Sequence, residues 1–361
     1  MNKNFWKNKR VLITGHTGFK GGWLTLILSN LKSRIVGYAL DPISKPNLFD
    51  DLKLTKFLQA DFREDILNIK KLDSVIKKFK PQIIFHLAAQ SSVLVSYENP
   101  VSTIKTNVIG TTNVLEVLKK CKSVKSAIIV TTDKVYLNLE QRKKFKELDH
   151  LGGYDVYSGS KASCEVLTQS YLKSFFQKSK CNMATVRSGN CIGGGDWTKD
   201  RIVKDCAESF VFNKTLTIRS PKATRPWQHV IEPVFGYIRL AEKLYFQKKY
   251  SGAWNFGPNL KNNLNVKKVA DFGKKLLKSK SEIKIQKQKY YESKNLSLDS
   301  SKALKYLNWK THLNSKEALK LAFEWYKFYY QNKNIKKVLK LTFDQIKNYK
   351  NRFYSKFYGK N

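Results

Sequence analysis

The sequence predicts a doubly wound α/β fold, in which helices cover both faces of a parallel sheet. Through the first half of the chain, short apolar runs alternate with stretches of helical periodicity, the pattern of β-α-β units. A glycine-rich turn joins the first apolar run to the first helical stretch. With 361 residues, the chain is long enough for one large domain and a smaller one. These observations together indicate a Rossmann parallel sheet with a smaller, interleaved C-terminal domain.

The first half supplies most of the expected sheet. Residues 10–14 form the first apolar run and predict strand one, and the first helix is expected at residues 21–31. The further elements expected in this half are a strand at 34–38, a helix near 70–79, a strand at 82–87, a long helix over about 101–119, a strand at 126–130, a helix from Tyr157 to about 177 and a strand at 183–187.

The second half has a different texture, because Gly, Trp, Arg and Pro become frequent after Asn190. We therefore predict a Rossmann domain over residues 1–189 and a mainly substrate-binding domain over 190–361, with segments at about 225–257 returning to the core. Helical periodicity resumes at residue 315. The last helix is expected to begin at Thr342 as N-cap, with Gln345 at the capping-box position.

Composition narrows the class of protein. The sequence has no apolar stretch of about 18 residues, and its basic N-terminus has no signal-peptide core, so a cytoplasmic protein without a membrane segment is expected. The five cysteines form no C-x-x-C pair and are odd in number. Neither a disulfide framework nor a metal site is therefore expected.

The formal net charge of +40 has two possible explanations. One is a polyanionic partner, either nucleic acid or an anionic membrane surface. However, only ten of the 68 basic residues are Arg, and the lysines are scattered along the chain. Because a binding footprint should cluster on one face, compositional drift is favoured, and no nucleic-acid or membrane partner is expected. Such a field would still steer an anionic nucleotide inward.

The glycine-rich turn predicts a dinucleotide site. Gly15, Gly18 and Gly21 are spaced G-x-x-G-x-x-G between a strand and a helix, and Thr17 and Phe19 belong to the same turn. Such a turn brings backbone N–H groups and a helix N-terminus to a pyrophosphate.

Two acidic residues extend this prediction. Asp41 follows strand two, where a carboxylate accepts hydrogen bonds from a ribose diol and repels a 2′-phosphate, so NAD is favoured over NADP. Asp61 is expected to end a further strand and is a candidate for the adenine amine, with a loop cap as the alternative.

Two short motifs predict the chemistry. Thr132, Asp133 and Lys134 follow a buried strand, whose carboxyl end is where an open α/β sheet binds its ligand. Tyr157 and Lys161 are four residues apart on one helical face. A lysine ammonium lowers the pKa of a neighbouring phenol, so Tyr157 is expected to act as a base, with the Thr132 hydroxyl on the same substrate oxygen. Asp133 and Lys134 supply an acid and a base for a second step, unless they form only a mutual salt bridge.

These stretches resemble the extended short-chain dehydrogenase/reductase superfamily and, within its NAD-dependent epimerase/dehydratase family, the CDP-glucose 4,6-dehydratases. The resemblance runs from Phe5 to about Tyr349, and an Asp-Lys pair stands where dTDP-glucose relatives carry Asp-Glu. The stretches that carry it are residues 11–21, 152–157, 189–200, 225–230 and 254–258. The resemblance implies a Rossmann domain that holds NAD, a homodimer formed through helices, and a nucleotide-diphosphate-hexose substrate, most specifically CDP-glucose.

The resemblance also implies a reaction sequence. Tyr157 takes the proton of the sugar 4-hydroxyl while hydride leaves C4 for NAD. Lys134, if neutral, or a water that it positions, removes the C5 proton. Asp133, if protonated, protonates the departing 6-hydroxyl, and hydride then returns to C6. Ala88 and Asn107 are placed at the cofactor, with Asn107 supporting the active-site lysine through water.

The resemblance assigns three residues to the substrate. Arg201 and Arg225 are expected to clamp the diphosphate, since guanidinium forks suit paired phosphate oxygens, and Asn190 is expected to contact the substrate. Each of the three is otherwise an ordinary structural polar residue. Leu94 stands where the family usually has an arginine, so the base and the hexose stay open. For Trp197 and Trp227, a buried core position is favoured over stacking on the base.

Two other classes of function are considered. A nucleotide-sugar epimerase or reductase would use the same Tyr157 and Lys161, but it would not need Asp133 and Lys134, because it eliminates no water. A basic binding protein on a Rossmann fold is supported by the net charge alone.

Overall fold

Seven parallel strands form the central sheet of the computed structural model, which describes residues 2–140, 143–258, 263–286, 296–332 and 334–358. The strands of the protein are β1 (Arg10–Thr14), β2 (Arg34–Ala39), β3 (Ala60–Arg63), β4 (Ile83–His86), β5 (Ser126–Val130), β6 (Asn182–Ser188), β7 (Cys191–Ile192), β8 (Leu216–Ile218), β9 (Thr224–Arg225), β10 (Gln228–His229), β11 (Gly252–Phe256), β12 (Leu264–Asn265) and β13 (Ile283–Ile285). The order across the central sheet is β11-β6-β5-β4-β1-β2-β3, which reverses direction between β4 and β1. That boundary is where a doubly wound sheet places its ligand, beyond the carboxyl ends of the strands.

Helices connect and cover these strands. They are α1 (Lys3–Trp6), α2 (Phe19–Asn30), α3 (Leu48–Asp51), α4 (Ile69–Phe79), α5 (Val93–Glu98), α6 (Pro100–Ile104), α7 (Gly110–Lys120), α8 (Val156–Ser174), α9 (Ile202–Val211), α10 (Ile231–Phe246), α11 (Val266–Leu277), α12 (Ser301–Leu307), α13 (Ser315–Gln331) and α14 (Ile335–Tyr358). A π-helical turn, Lys105–Ile109, lies between α6 and α7.

The sheet is buried on both faces at its central strands β1, β4 and β5, as their mostly apolar sequences predict. Val11 and Ile13 of β1 pack on one side, in a core that also takes its side chains from α2, α10, α13 and α14. Leu12, between them, points to the opposite side and packs with side chains of α4 and α7. The two-residue alternation of a strand thus divides the interior into two hydrophobic cores.

The second half of the chain returns to this sheet. β11 pairs in parallel with β6 and lies at the end of the stretch, about 225–257, that is predicted to return to the core. The remaining short strands form three pairs, β7 with β10, β8 with β13 and β9 with β12. The domain boundary between residues 189 and 190 stays a prediction.

The expected start of the last helix is wrong. Thr342 lies inside α14 and is fully buried. Its hydroxyl donates to the Val338 carbonyl at 2.8 Å and accepts from Trp325 Nε1 at 2.8 Å. Gln345 donates to the Leu321 carbonyl instead of closing a capping box. A threonine that bonds back to the carbonyl four residues earlier has the same sequence signature as an N-cap but sits mid-helix.

Among the helices of the described ranges, none combines the length and the apolar character that crossing a bilayer requires.

Candidate active site

The turn between β1 and α2 is built from backbone in close contact. Gly15 has a φ of +75°, and a Cβ there would lie 2.6 Å from the backbone nitrogen of Ala88. A Cβ on Gly21 would overlap the Gly15 carbonyl. Ala88 N in turn donates to the Thr14 hydroxyl at 3.2 Å, which ties the segment after β4 to the end of β1. Only glycine therefore fits at residues 15 and 21.

The start of α2 leaves donors for a ligand. Gly18 is the N-cap and has no side chain with which to accept the first-turn N–H groups of the helix. Phe19 begins the helix, and the Thr17 hydroxyl donates to the Leu40 carbonyl at 3.0 Å, which fixes the turn against the end of β2. The exposed N–H groups and the helix dipole suit the pyrophosphate of a dinucleotide.

The two acids predicted for the adenosine half lie on one side of this turn, joined by Arg63. Asp41 is 85% exposed and its Oδ1 lies 3.2 Å from Arg63 Nη1. Asp61 lies inside β3, not at its end, and accepts from Arg63 Nε and Nη2 at 3.1 and 3.0 Å. Its other oxygen is 2.8 Å from His16 Nε2. Partial burial raises the pKa of Asp61, but the His16 and Arg63 contacts outweigh it, and the net pKa is lowered.

The turn after β5 holds a buried carboxyl group. Thr132 caps a 3₁₀ turn over Asp133–Val135, donating to Asp133 Oδ1 at 3.1 Å and accepting from Lys134 N at 3.4 Å. Asp133 is 2% exposed, and none of the described residues hydrogen-bonds its Oδ2. Burial raises the pKa of Asp133 against the opposing effects of Lys134, Thr132, Lys20 and Arg225. A buried carboxyl with an unpartnered oxygen is suited to exchange a proton with a ligand.

Tyr157 and Lys161 lie on the inner face of α8 and are both buried. Lys161 Nζ donates to the Val130 carbonyl at 3.2 Å, which places it at the carboxyl end of β5. Burial raises the pKa of Tyr157, while a hydrogen bond with Thr132 and the charge of Lys20 lower it. The net pKa of Tyr157 therefore lies above the ordinary value of a phenol, whereas the Tyr-Lys spacing predicts a pKa below that value. Desolvation is the reason, since it penalises the phenolate.

Asn107 makes direct contacts that support α8, the helix that carries Tyr157 and Lys161. It lies in the π-helical turn and is fully buried. Its amide nitrogen donates to Ser160 Oγ at 2.9 Å and to the Gln90 carbonyl at 3.0 Å, and its Oδ1 accepts from Gln90 N at 2.9 Å. Asn107 thus ties the segment after β4 to the residue that precedes Lys161. Its predicted place at the cofactor, through water on the lysine, stays a prediction.

Two of the three residues predicted for the substrate act electrostatically on Asp133 or Tyr157. Asn190 follows β6, and its carbonyl accepts from Gln228 N at 3.2 Å. Arg225 is 4% exposed, and its charge acts on Asp133. Arg201 precedes α9 with its Nε 3.3 Å from Asp196 Oδ2, and its charge acts on Tyr157. The Arg225 guanidinium therefore lies within electrostatic reach of Asp133, and the Arg201 guanidinium lies within electrostatic reach of Tyr157.

The two tryptophans belong to the core, as predicted. Trp197 packs among aromatic side chains of α13, and Trp227 donates its indole N–H to the Leu264 carbonyl at 2.8 Å. Their exposed fractions are 7% and 4%.

Sequence reasoning missed Lys20. It lies in the first turn of α2, and its Nζ donates to Ser188 Oγ at 2.9 Å at the end of β6. Burial lowers the pKa of Lys20, but the neighbouring Cys191, Tyr237, Tyr157 and Asp133 outweigh it, and the net pKa is raised. The sequence signal that could have indicated Lys20 is a lysine at the start of an otherwise almost wholly apolar helix. The G-x-x-G-x-x-G spacing allows any residue at this position.

A second missed feature is the buried ion pair beneath α8. Glu165 accepts from Arg187 Nε and Nη2 at 2.9 and 2.8 Å, and from the hydroxyls of Thr131 and Thr185 at 2.5 Å each. All its partners lie on β6 or directly after β5. Because Glu165 is one helical turn after Lys161, this cluster fixes the rotation of the helix that carries Tyr157.

The chain is similar in sequence to known proteins. Residues 12–321 match the family model described as GDP-mannose 4,6 dehydratase. The chain belongs to this family. It is also similar to the CDP-glucose 4,6-dehydratase of Salmonella typhimurium, with 40% identity over 91% of this chain and 93% of the relative. The resemblance predicted from the motifs is thereby confirmed.

Solved structures confirm the predicted fold class. The dTDP-glucose 4,6-dehydratase of Bacillus anthracis, in complex with NAD, has a TM-score of 0.76 at 21% identity, covering 90% of this chain and 98% of its own. The UDP-glucose 4-epimerase of Thermotoga maritima, with UDP-glucose, has a TM-score of 0.76 at 21% identity, covering 89% and 99%. Since dehydratase and epimerase match equally well, the fold alone does not distinguish the two reactions.

Proposed function

We propose that the chain is an NAD-dependent nucleotide-sugar 4,6-dehydratase, a hydro-lyase that converts CDP-glucose to CDP-4-keto-6-deoxyglucose. The observation that carries the proposal is the Asp133 carboxyl, buried beside Lys134 and within reach of Tyr157, with one oxygen left for a ligand. An epimerase eliminates no water and has no use for such an acid. The 40% identity to a protein named CDP-glucose 4,6-dehydratase supports the same reaction.

The β1–α2 turn fits the cofactor. Gly15 and Gly21 permit the close backbone packing of the turn, Gly18 leaves the α2 N-terminus without a side-chain cap, and the first-turn N–H groups would be the donors for a pyrophosphate. Asp41 would accept from the adenosine ribose, and Asp61 would hold the adenine amine. When bound there, NAD would supply reversible hydride transfer with the sugar.

The protein's own groups would move the protons. Tyr157, as phenolate, takes the proton of the 4-hydroxyl, with Thr132 hydrogen-bonded to the same oxygen. The 4-keto group then acidifies C5–H, and Lys134, or a water that it positions, accepts that proton and returns it to C5 when hydride is added at C6. Protonated Asp133 gives its proton to the departing 6-hydroxyl, which leaves as water. Its raised pKa favours the protonated form that this step needs.

Arg201 and Arg225 would bind the diphosphate, and Asn190 would contact the substrate between them and the sugar. Both arginines also act electrostatically on the catalytic groups, Arg201 on Tyr157 and Arg225 on Asp133. Binding of the diphosphate would therefore neutralise charge beside the reacting groups.

We also propose a homodimer and a cytoplasmic location. Apolar side chains are exposed on the helical layer that contains the catalytic helix: Val101 at 62%, Ile104 at 45%, Ile109 at 48% and Val166 at 52%. A second copy would cover this face, as the resemblance to the family implies, and light scattering should then give twice the chain mass. The five cysteines are free thiols, which suits a reducing compartment.

The test is to incubate the purified protein and NAD with CDP-glucose, and separately with dTDP-glucose, and to follow the product by mass spectrometry. Loss of one water from CDP-glucose without net NADH formation is the expected result. Turnover of dTDP-glucose alone would keep the reaction and change the substrate. Isomerised or oxidised sugar with no water loss would contradict the proposal. Tyr157→Phe, which keeps the ring but removes the base, is the inactive control.

A further inference from the structure

A lysine of the glycine turn reaches from the cofactor side of the pocket to the catalytic side. Lys20 lies one residue before Gly21, in the turn that fits the pyrophosphate. Its ammonium nevertheless donates to Ser188 Oγ, at the carboxyl end of β6, at 2.9 Å. The same serine oxygen accepts from the Tyr237 hydroxyl of α10 at 2.8 Å. The ammonium is thereby held at one place and is not free to extend into solvent.

That place adjoins the acid of the proposed reaction. Gly189 follows Ser188 directly, and a Cβ on it would lie 3.0 Å from Asp133 Oδ2. Asp133 Oδ2, the oxygen left for a ligand, thus lies against Gly189. Gly189 is adjacent in sequence to Ser188, which accepts the hydrogen bond from Lys20.

The groups around Lys20 come from every neighbouring element. They are Asp133 after β5, Tyr157 of α8, Cys191 of β7 and Tyr237 of α10. The groups that act most on Tyr157 besides Thr132 are Lys20, Asp133 and Arg201. Lys161, on the same helix as Tyr157, donates instead to the Val130 carbonyl. Lys20 therefore combines a fixed position with a direct effect on the phenol.

We propose that Lys20 is a positioning residue of the reaction: tethered by Ser188, its ammonium stabilises the negative charge that Tyr157 carries when it acts as the base. This inference rests on the proposed function for its consequence in catalysis, but not for its electrostatic content. Burial disfavours the phenolate, and a fixed cation in the same desolvated pocket offsets that effect. A protein that buries its base needs such a counter-charge.

The experiment compares Lys20→Met with Lys20→Arg and uses two measurements. First, 3,5-difluorotyrosine, whose phenol is more acidic than that of tyrosine, is placed at position 157 alone, and its ¹⁹F signal is titrated. Lys20→Met is expected to raise the midpoint by about one pH unit or more. Lys20→Arg, which keeps the charge, should stay within a few tenths of a unit of the parent.

Second, the pH profile of CDP-glucose turnover is measured with the unlabelled variants. The alkaline shift of the rising limb in Lys20→Met should match the shift of the ¹⁹F midpoint, with about a tenfold loss of rate per unit below that limb. Lys122→Met is the matched control, because Lys122 is exposed and precedes the amino end of β5, whereas the site lies at the carboxyl ends of the strands. It should move neither measurement.

Each outcome is decisive. An unchanged ¹⁹F midpoint in a folded Lys20→Met protein would overturn the inference, and so would a midpoint that shifts equally in Lys20→Arg. If Lys20→Met does not fold, the inference stands or falls on Lys20→Arg, which must keep both the midpoint and the pH profile. A shifted midpoint in a protein that removes no water from CDP-glucose would uphold the inference about Lys20 and refute the proposed function.

Discussion

Asp61 and Asp133 lie on opposite sides of the boundary between β4 and β1, and their carboxyl groups have opposite surroundings. Asp61 has a cation or an imidazole on each oxygen, and its pKa is lowered. Asp133 is buried with one oxygen unpartnered by the described residues, and its pKa is raised. In the proposed function, Asp61 would bind the cofactor as an anion, and Asp133 would give up a proton. The different surroundings of the two carboxyl groups suit these different roles.

The largest effect is expected for Asp133→Asn, which keeps the shape of the side chain and removes the acid. Water elimination should fall by about 100-fold or more, while C4 oxidation continues and absorbance from NADH builds up at 340 nm. The same variant should be more stable at neutral pH. Because the folded-state pKa of Asp133 is raised, its ionised form costs stability once the pH rises through that pKa, and asparagine removes the cost. A lower melting temperature at pH 7 would contradict this assignment.

Gly15→Ala tests the binding half and should have the next largest effect. The positive φ of Gly15 and the 2.6 Å approach to Ala88 N leave no room for a methyl group. We expect a loss of about 1–3 kcal/mol of stability and an NADH affinity reduced by about tenfold, measured by thermal unfolding and fluorescence titration. Gly159→Ala is the matched control, because a Cβ there meets nothing within 4 Å and alanine favours the helix. Equal effects at both positions would mean that the turn is not specifically constrained.

The smallest effect is expected for Asp61→Asn. The lowered pKa of Asp61 means that the carboxylate contributes stability above the unfolded-state pKa and loses it as the pH falls through the folded-state value. The variant should be about 1 kcal/mol less stable than wild type at pH 7 in urea unfolding. The two proteins should become alike as the pH falls through the lowered folded-state pKa of Asp61, where the wild-type carboxylate gains its proton. A gap that persists at that pH would place the loss in packing and not in charge.

Local pattern was enough for most of the fold. The strand at Ser126–Val130 was predicted to the residue, and the strand of β6 within one residue at each end, because a buried parallel strand leaves an apolar run with clear limits. The glycine turn could be predicted for a similar reason, because its conformation depends on residues close in sequence. Thr342 failed because an N-cap and a mid-helix threonine that bonds its own helix share one local pattern.

Features that depend on contacts between residues far apart in sequence could not be predicted. Lys20 meets Ser188 across 168 positions of chain, and no spacing rule relates the two. The raised pKa of Tyr157 follows from how much protein surrounds it, which a sequence motif does not encode. The residue types of the candidate site could thus be predicted, but their mutual electrostatics required the packed structure.

The π-helical turn at Lys105–Ile109 sets the rotational phase between the two parts of one continuous helix. A single extra residue in a helix turns everything beyond it by about 100°. Asn107 can therefore face inward to the catalytic helix while Ile104 and Ile109, on either side of it, remain exposed on the outer surface. Removing one residue from the turn would restore a regular helix but would misalign the inner anchor and the outer apolar face with respect to each other. The added residue thus lets one helix present Asn107 to the interior and Ile104 and Ile109 to the outer surface, a combination that a regular helix would not give.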